Sequence, residues 1–233
     1  MLIGRVGRVW FSSESRKIQN VCELVYIFLF MCYNVGVGDN VMKIIELEHK
    51  AKNGDGLSAY ILGRSYYSSE NGVTRNYQKS FEWYKFGYEE LKDSRCLYGY
   101  AMFFYDDGES ESENVVDKNN TYANEMFSKA YPQLQELYKK GEPYATFILG
   151  AYYNYGIGGV QKSFKEALNY IKAAAELGHS GALFDLGKFY EIGKGVEKDL
   201  NKAYEYYSKA AELGNVRAKE RKNELELILP VKK

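Results

Sequence analysis

The sequence predicts an all-α fold, a right-handed solenoid of antiparallel helix pairs. Three observations lead there: self-similarity at a period of about 36 residues, two stretches of helical periodicity inside each period, and only 3 prolines in 233 residues to interrupt helices. The strings "GEPYATFILGAYYNYGIGGVQKSFKEALNYIKAAAELG" (141–178) and "GHSGALFDLGKFYEIGKGVEKDLNKAYEYYSKAAELG" (178–214) differ in phase only by the extra Gly159. Residues 56–91 form a third copy. A degenerate fourth, 93–141, keeps "YGYAMFFYDDG" and "TYANEMFSKAY" but carries an acidic insertion and a longer second helix, expected to bend near Pro132. No unit buries its apolar face alone, so the units are expected to stack with a concave inner wall and a convex outer one.

The first helix of each unit is read from a small, a large and a third residue at i, i+4 and i+8: Ser58, Leu62, Tyr66; Ser94, Tyr98, Met102; Ala145, Leu149, Tyr153; Ala182, Leu186, Tyr190. These share one helical face. Gly63, Gly99, Gly150 and Gly187 follow the large residue, where a missing side chain allows a neighbouring helix to come close. Such glycines weaken the helix and need packing to offset them.

The second helix opens alike in all four units. Val73, Val116, Val160 and Val196 are each followed three residues later by Asn76, Asn119, Ser163 or Asp199, side chains able to accept from the orphan N–H groups of a first turn. A small residue follows at +4 (Ser80, Ala123, Ala167, Ala203) and a bulky one at +8 (Tyr84, Phe127, Ile171, Tyr207). Gly141, Gly178 and Gly214 supply a left-handed stop, while the first unit ends at Leu91 without one. Residues 41–54 read as a leading helix and 216–229 as a closing helix, so the solenoid is expected over 41–229, with units at about 56–91, 93–141, 142–178 and 179–214 and nine or ten helices in all.

Residues 1–40 stand apart. Arg5, Arg8, Arg16 and Lys17 precede an apolar stretch from Leu24 to Val37 that is too short and too interrupted for an ordinary span. Three readings stay open: upstream read-through with Met42 as the natural start, which is preferred because the repeat pattern begins there; a targeting segment or membrane anchor; and an extra helix on the domain. Cys22, Cys32 and Cys96 form no CxxC pair, so a reducing, cytoplasmic setting is the expectation, with a membrane-anchored or exported protein as its alternative. The 31 basic and 31 acidic side chains balance. Bulk electrostatics therefore selects no partner, and no nucleic-acid partner is expected.

Small-x3-Leu-Gly-x3-Tyr, then Gly-x-Gly-Val, then a capped helix with Lys-Ala and an Ala-Ala-x-x-Gly ending resembles the Sel-1-like repeat family, relatives of the tetratricopeptide repeats. The resemblance spans roughly residues 41–229, is closest in the third and fourth units and faintest in the second. It implies an adaptor that holds a protein or peptide partner without chemistry of its own. Some secreted cysteine-rich relatives are reported to bind or hydrolyse β-lactams, but those carry a cysteine pair in every repeat, whereas only Cys96 lies within the repeats here.

If the units stack as tetratricopeptide arrays do, the inner wall falls two residues beyond each triplet position, about 200° around the helix. That selects Tyr60, Arg64, Tyr67; Cys96, Tyr100, Phe103; Phe147, Ala151, Asn154; and Phe184, Lys188, Glu191, with Tyr144 and Tyr155 bordering the third unit. Six of the twelve are aromatic, against 16% in the chain. Either the rings pack between adjacent first helices, or they form a groove that grips a partner segment, with Arg64, Lys188 and Glu191 orienting it. On the second reading, replacing Tyr60, Tyr100 and Phe147 by Ala removes partner capture and leaves the helical fold.

Other signals carry less. "GIGGVQKS" has Gln161 where a phosphate loop needs its second glycine, and is read as a turn. "DDGESESENVVD" (106–117) holds six acids at no calcium-loop spacing and reads as a solvated insertion. His49 and His179 are read as surface histidines. No catalytic motif, metal site or cofactor is expected.

Overall fold

The computed structural model describes residues 39–106 and 115–229. The readings made for residues 1–38 and for the centre of the acidic insertion lie outside these. Ten helices follow in order: α1 (Asp39–Lys52), α2 (Gly56–Ser68), α3 (Tyr77–Glu89), α4 (Ser94–Phe104), α5 (Asn120–Lys139), α6 (Pro143–Tyr155), α7 (Phe164–Glu176), α8 (Ser180–Ile192), α9 (Leu200–Glu212) and α10 (Val216–Ile228). Strands are absent from the described residues, and no helix among them is long and apolar enough to cross a membrane. The fold is all-α. Each helix packs on the next, and the first helices α2, α4 and α6 also touch one another in sequence.

Local chemistry sets the helix starts. Asn76, Asn119, Ser163 and Asp199 cap α3, α5, α7 and α9, each side chain accepting from the N–H three residues on. The same four residues donate their own backbone N–H to a carbonyl near the end of the preceding helix, at Tyr66, Phe104, Tyr153 and Tyr190, over 2.7–2.8 Å. One residue thus starts the second helix and ties it to the first. Asp55, Asp93 and Glu142 cap α2, α4 and α6.

The glycines after the large core residue make room for a side chain. A Cβ on Gly63 or Gly99 would lie 2.6 or 2.5 Å from the ring of Tyr84, which is held between the first helices of units one and two. Gly150 receives Ile171 and Gly187 receives Tyr207 in the same way. These are the bulky residues eight positions after each second-helix cap. The expected close approach of a neighbouring helix is thus seen most directly at Gly150, where a Cβ would lie 3.4 Å from the Ala167 carbonyl of α7, and in the other units the space is filled by the second helix's own large ring.

Where the first unit lacks glycine, another residue takes up the left-handed backbone. Lys92 has φ +57° at the stop that Gly141, Gly178 and Gly214 occupy elsewhere, and Ser69 has φ +58° in the place of Gly156 and Gly193. Both carry a Cβ in a conformation that suits glycine. Pro132 lies within α5, which stays helical from Asn120 to Lys139. Its ring is exposed, so the Ser128 carbonyl left without a helical donor faces water.

Burial joins the units. One apolar cluster runs from Ile44 to Ile157, and two more tie α7 to α8 and α8 to α9 and α10. Tyr152, outside the triplets read from sequence, is fully buried and donates its hydroxyl to the Phe127 carbonyl at 2.7 Å. Tyr153 stacks on Tyr170, and Tyr190 on Tyr206, at 5.3 and 5.5 Å between ring centroids, so these triplet tyrosines pack within their own units.

Candidate partner-binding cleft

Curvature brings the first helix of unit one to the first helix of unit four. Arg64 on α2 donates Nη1–H to His179 Nε2 at 2.9 Å, and Nη2–H to Glu70 at the same distance. His179 stacks on Phe147 with 4.5 Å between centroids and meets the edge of Tyr144 at 4.7 Å. Tyr144 in turn lies edge-on to Tyr60 at 5.6 Å. These contacts form a clasp across the inner wall, linking residues 115 positions apart.

Both ring nitrogens of His179 face donors. Arg64 donates Nη1–H toward Nε2, and the Ala182 N–H lies 3.1 Å from Nδ1 and 3.0 Å from the His179 carbonyl, so the side chain caps α8 and a second ring proton would find no acceptor. Burial first, and the Arg64 charge second, push the imidazole well below its ordinary pKa. The expected surface histidine is thus corrected: His179 is 5% exposed and neutral, because it fills the junction between units. His49 is exposed as expected.

Beside the clasp lies a cleft of ≈ 520 Å³. Its walls come mainly from the first helices, with Tyr77 and Tyr84 of α3 and the start of α10 at its margins. Of the residues read from sequence, Tyr60, Arg64, Tyr67, Phe147, Tyr155, Phe184 and Lys188 line it. Tyr60 and Phe184 are buried in the wall; Lys188 is exposed.

The other assigned residues lie elsewhere. Tyr100 and Phe103 pack against Phe81 of α3 at 5.0 and 5.3 Å. Helix α4 instead turns Tyr98, Gly99 and Met102 to the cleft. Glu191 accepts from Tyr207 at 2.7 Å and pairs with Arg221, holding α8, α9 and α10 together. Asn154 is partly buried with no hydrogen bond to its side-chain oxygen, and Tyr144 belongs to the clasp. Replacing Tyr60, Tyr100 and Phe147 together would open the core, since Tyr60 and Tyr100 are 3% and 8% exposed. The packing reading of the aromatic stripe thus holds for Tyr100 and Phe103, while Tyr60, Tyr67, Phe147 and Phe184 line the cleft.

The charged cleft residues missed by the sequence reading are Glu70, Arg75, Asp185 and Arg217. Asp185 is half-buried and makes no hydrogen bond with any described residue. Burial raises its carboxyl pKa, against the opposing fields of Lys188, Arg217, Arg64 and Lys194. The signal available was its place one residue after Phe184 on a helix whose next turn carries Lys188. Among the described residues no group of three His, Cys, Asp or Glu side chains is placed to hold a metal ion. The cleft can supply ring faces, exposed cations and one carboxylate acceptor.

The Sel1 repeat model matches residues 56–90, 94–131, 143–179 and 180–215. Among solved structures, a Sel1 repeat protein from Oxalobacter formigenes is similar at 24% identity, over 78% of this chain and 74% of that one, with a TM-score of 0.42. The c5321 protective antigen of uropathogenic Escherichia coli, which displays an SLR fold, is 28% identical over 75% of this chain, with a TM-score of 0.38. This chain spans only 34% of that antigen. Cysteine rich protein B of Helicobacter pylori is 23% identical over 64% of this chain and 96% of its own, with a TM-score of 0.36. The four repeat matches together cover more than half of the sequence, and the chain belongs to the Sel1 repeat family.

Proposed function

We propose that the protein is a non-catalytic scaffold that grips a segment of a partner protein in the cleft beside the Arg64–His179 clasp. Sel1 repeat proteins in general mediate protein–protein interactions. The observation that carries the reading is the convergence of first helices from all four units on one cleft of ≈ 520 Å³, large enough for several side chains of an extended segment. Rings in its wall offer rigid apolar contact at little entropic cost, and Lys188, Arg75 and Arg217 at its rim offer polar contact. The rings already spent on packing, Tyr100 and Phe103 among them, are excluded from the binding set.

Lys188→Trp places a bulky neutral ring at the cleft's exposed rim, and Lys172→Trp makes the same change on α7 outside it. Affinity capture with both variants, each confirmed folded by circular dichroism, tests the proposal. Loss of the captured protein with Lys188→Trp alone is expected. Equal capture by both variants overturns it. A cytoplasmic setting belongs to the same proposal, supported by the sparse cysteines, and recovery of the native protein in membranes or medium counts against it.

A further inference from the structure

Building on that reading, we infer that the segment held in the cleft is acidic, with carboxylates that meet Lys188 and Arg217 beside Phe184 and Arg75 beside Tyr77.

The argument is one of charge commitment. Four cations and two acids line the cleft. Arg64 is spent on Glu70 and His179. Arg75, Lys188 and Arg217 are exposed and make no hydrogen bond or ion pair with any described residue. Each is instead set over a ring at the cleft's edge: Arg75 5.9 Å from the centroid of Tyr77, Lys188 and Arg217 6.0 and 4.8 Å from that of Phe184. A ring face restrains a cation while leaving its N–H donors open toward the cleft. Two donors converging on Phe184 suit one carboxylate, and Arg75 suits a second.

Asp185 sits among these cations without a donor of its own. An extended segment crossing it would present backbone N–H groups, and a carboxylate is the acceptor they need. The chain as a whole has no net charge, so this excess of positive charge belongs to the cleft and is not a reflection of composition. With Arg64 offset by Glu70, three cations stand against the single carboxyl of Asp185, so a basic segment would add to an existing positive excess and a neutral one would leave it standing.

The test is isothermal titration of the whole protein with three end-capped peptides of equal length and equal tyrosine content that differ only in carrying Glu, Gln or Lys. The Glu peptide is expected to bind about tenfold more tightly than the Gln peptide, and the Lys peptide more weakly than either. Added salt should narrow the difference. The double variant Lys188→Glu/Arg217→Glu, at exposed positions, should reverse the order. Equal binding of Glu and Gln peptides, or an order unchanged by charge reversal, overturns the inference while leaving the scaffold reading intact. Absence of binding by all three overturns the inference and, with equal capture by the tryptophan variants, the scaffold reading too.

Discussion

The Arg64–His179 clasp gives a contact that a nearest-neighbour solenoid would lack, and a double-mutant cycle measures it. Arg64→Met keeps the apolar stem and removes the donor. His179→Asn keeps a side chain able to cap α8 and removes the ring. The hydrogen bond from a charged donor contributes about 1.5–3 kcal/mol. Stacking of the imidazole on Phe147 and Tyr144 adds about 0.5–1.5 kcal/mol. His179→Asn is therefore expected to cost roughly 2–4 kcal/mol, read from urea unfolding by circular dichroism. Because Arg64 touches His179 directly, the double variant should be less destabilised than the sum of the singles by about 1.5 kcal/mol or more. Additivity within about 0.5 kcal/mol would refute the reasoning, since it would mean that units one and four fold without sensing each other.

Three further outcomes follow from named contacts. His179 is held neutral in the fold, so the unfolded chain takes up a proton first as pH falls through about 6.5; stability should decline below that pH by up to about 1.4 kcal/mol per unit, and His179→Asn should remove this part of the slope in urea titrations. Lys92→Gly and Ser69→Gly relieve left-handed backbone and should each raise stability by about 0.5–1 kcal/mol in the same assay, with no gain indicating that the turns relax. Gly63→Ala drives a methyl into Tyr84, which cannot retreat without meeting Gly99; overpacking of about 1–3 kcal/mol should exceed the gain of roughly 1 kcal/mol in helix propensity, and Tyr84→Leu in that background should cost less than it does in the native chain.

The features legible in the sequence are those decided within one unit. The caps Asn76, Asn119, Ser163 and Asp199 act through an N–H three residues away, so their spacing alone reveals them. The glycines and the large residues eight positions after each cap are also legible, although their pairing as socket and filler needs the helix packing. Contacts between units were less accessible. The Arg64–His179 bond depends on curvature accumulated over three repeats, and no local pattern encodes it. Tyr100 and Phe103 were assigned to the inner wall by a uniform phase, yet Phe81 draws them toward α3, and α4 presents Tyr98 and Met102 instead. Lys92 and Ser69 show the converse: the fold imposes its turn even where the preferred glycine is missing.

Site-specific photocrosslinking tests the central claim most directly. A benzophenone side chain introduced at position 68, in the cleft, and separately at position 172, exposed on α7, reports which surface the partner touches in the cell. The account predicts a discrete adduct from position 68 that disappears with Lys188→Glu/Arg217→Glu in the same chain, and none from position 172. An adduct of equal yield from position 172, or one from position 68 indifferent to that charge reversal, would contradict it.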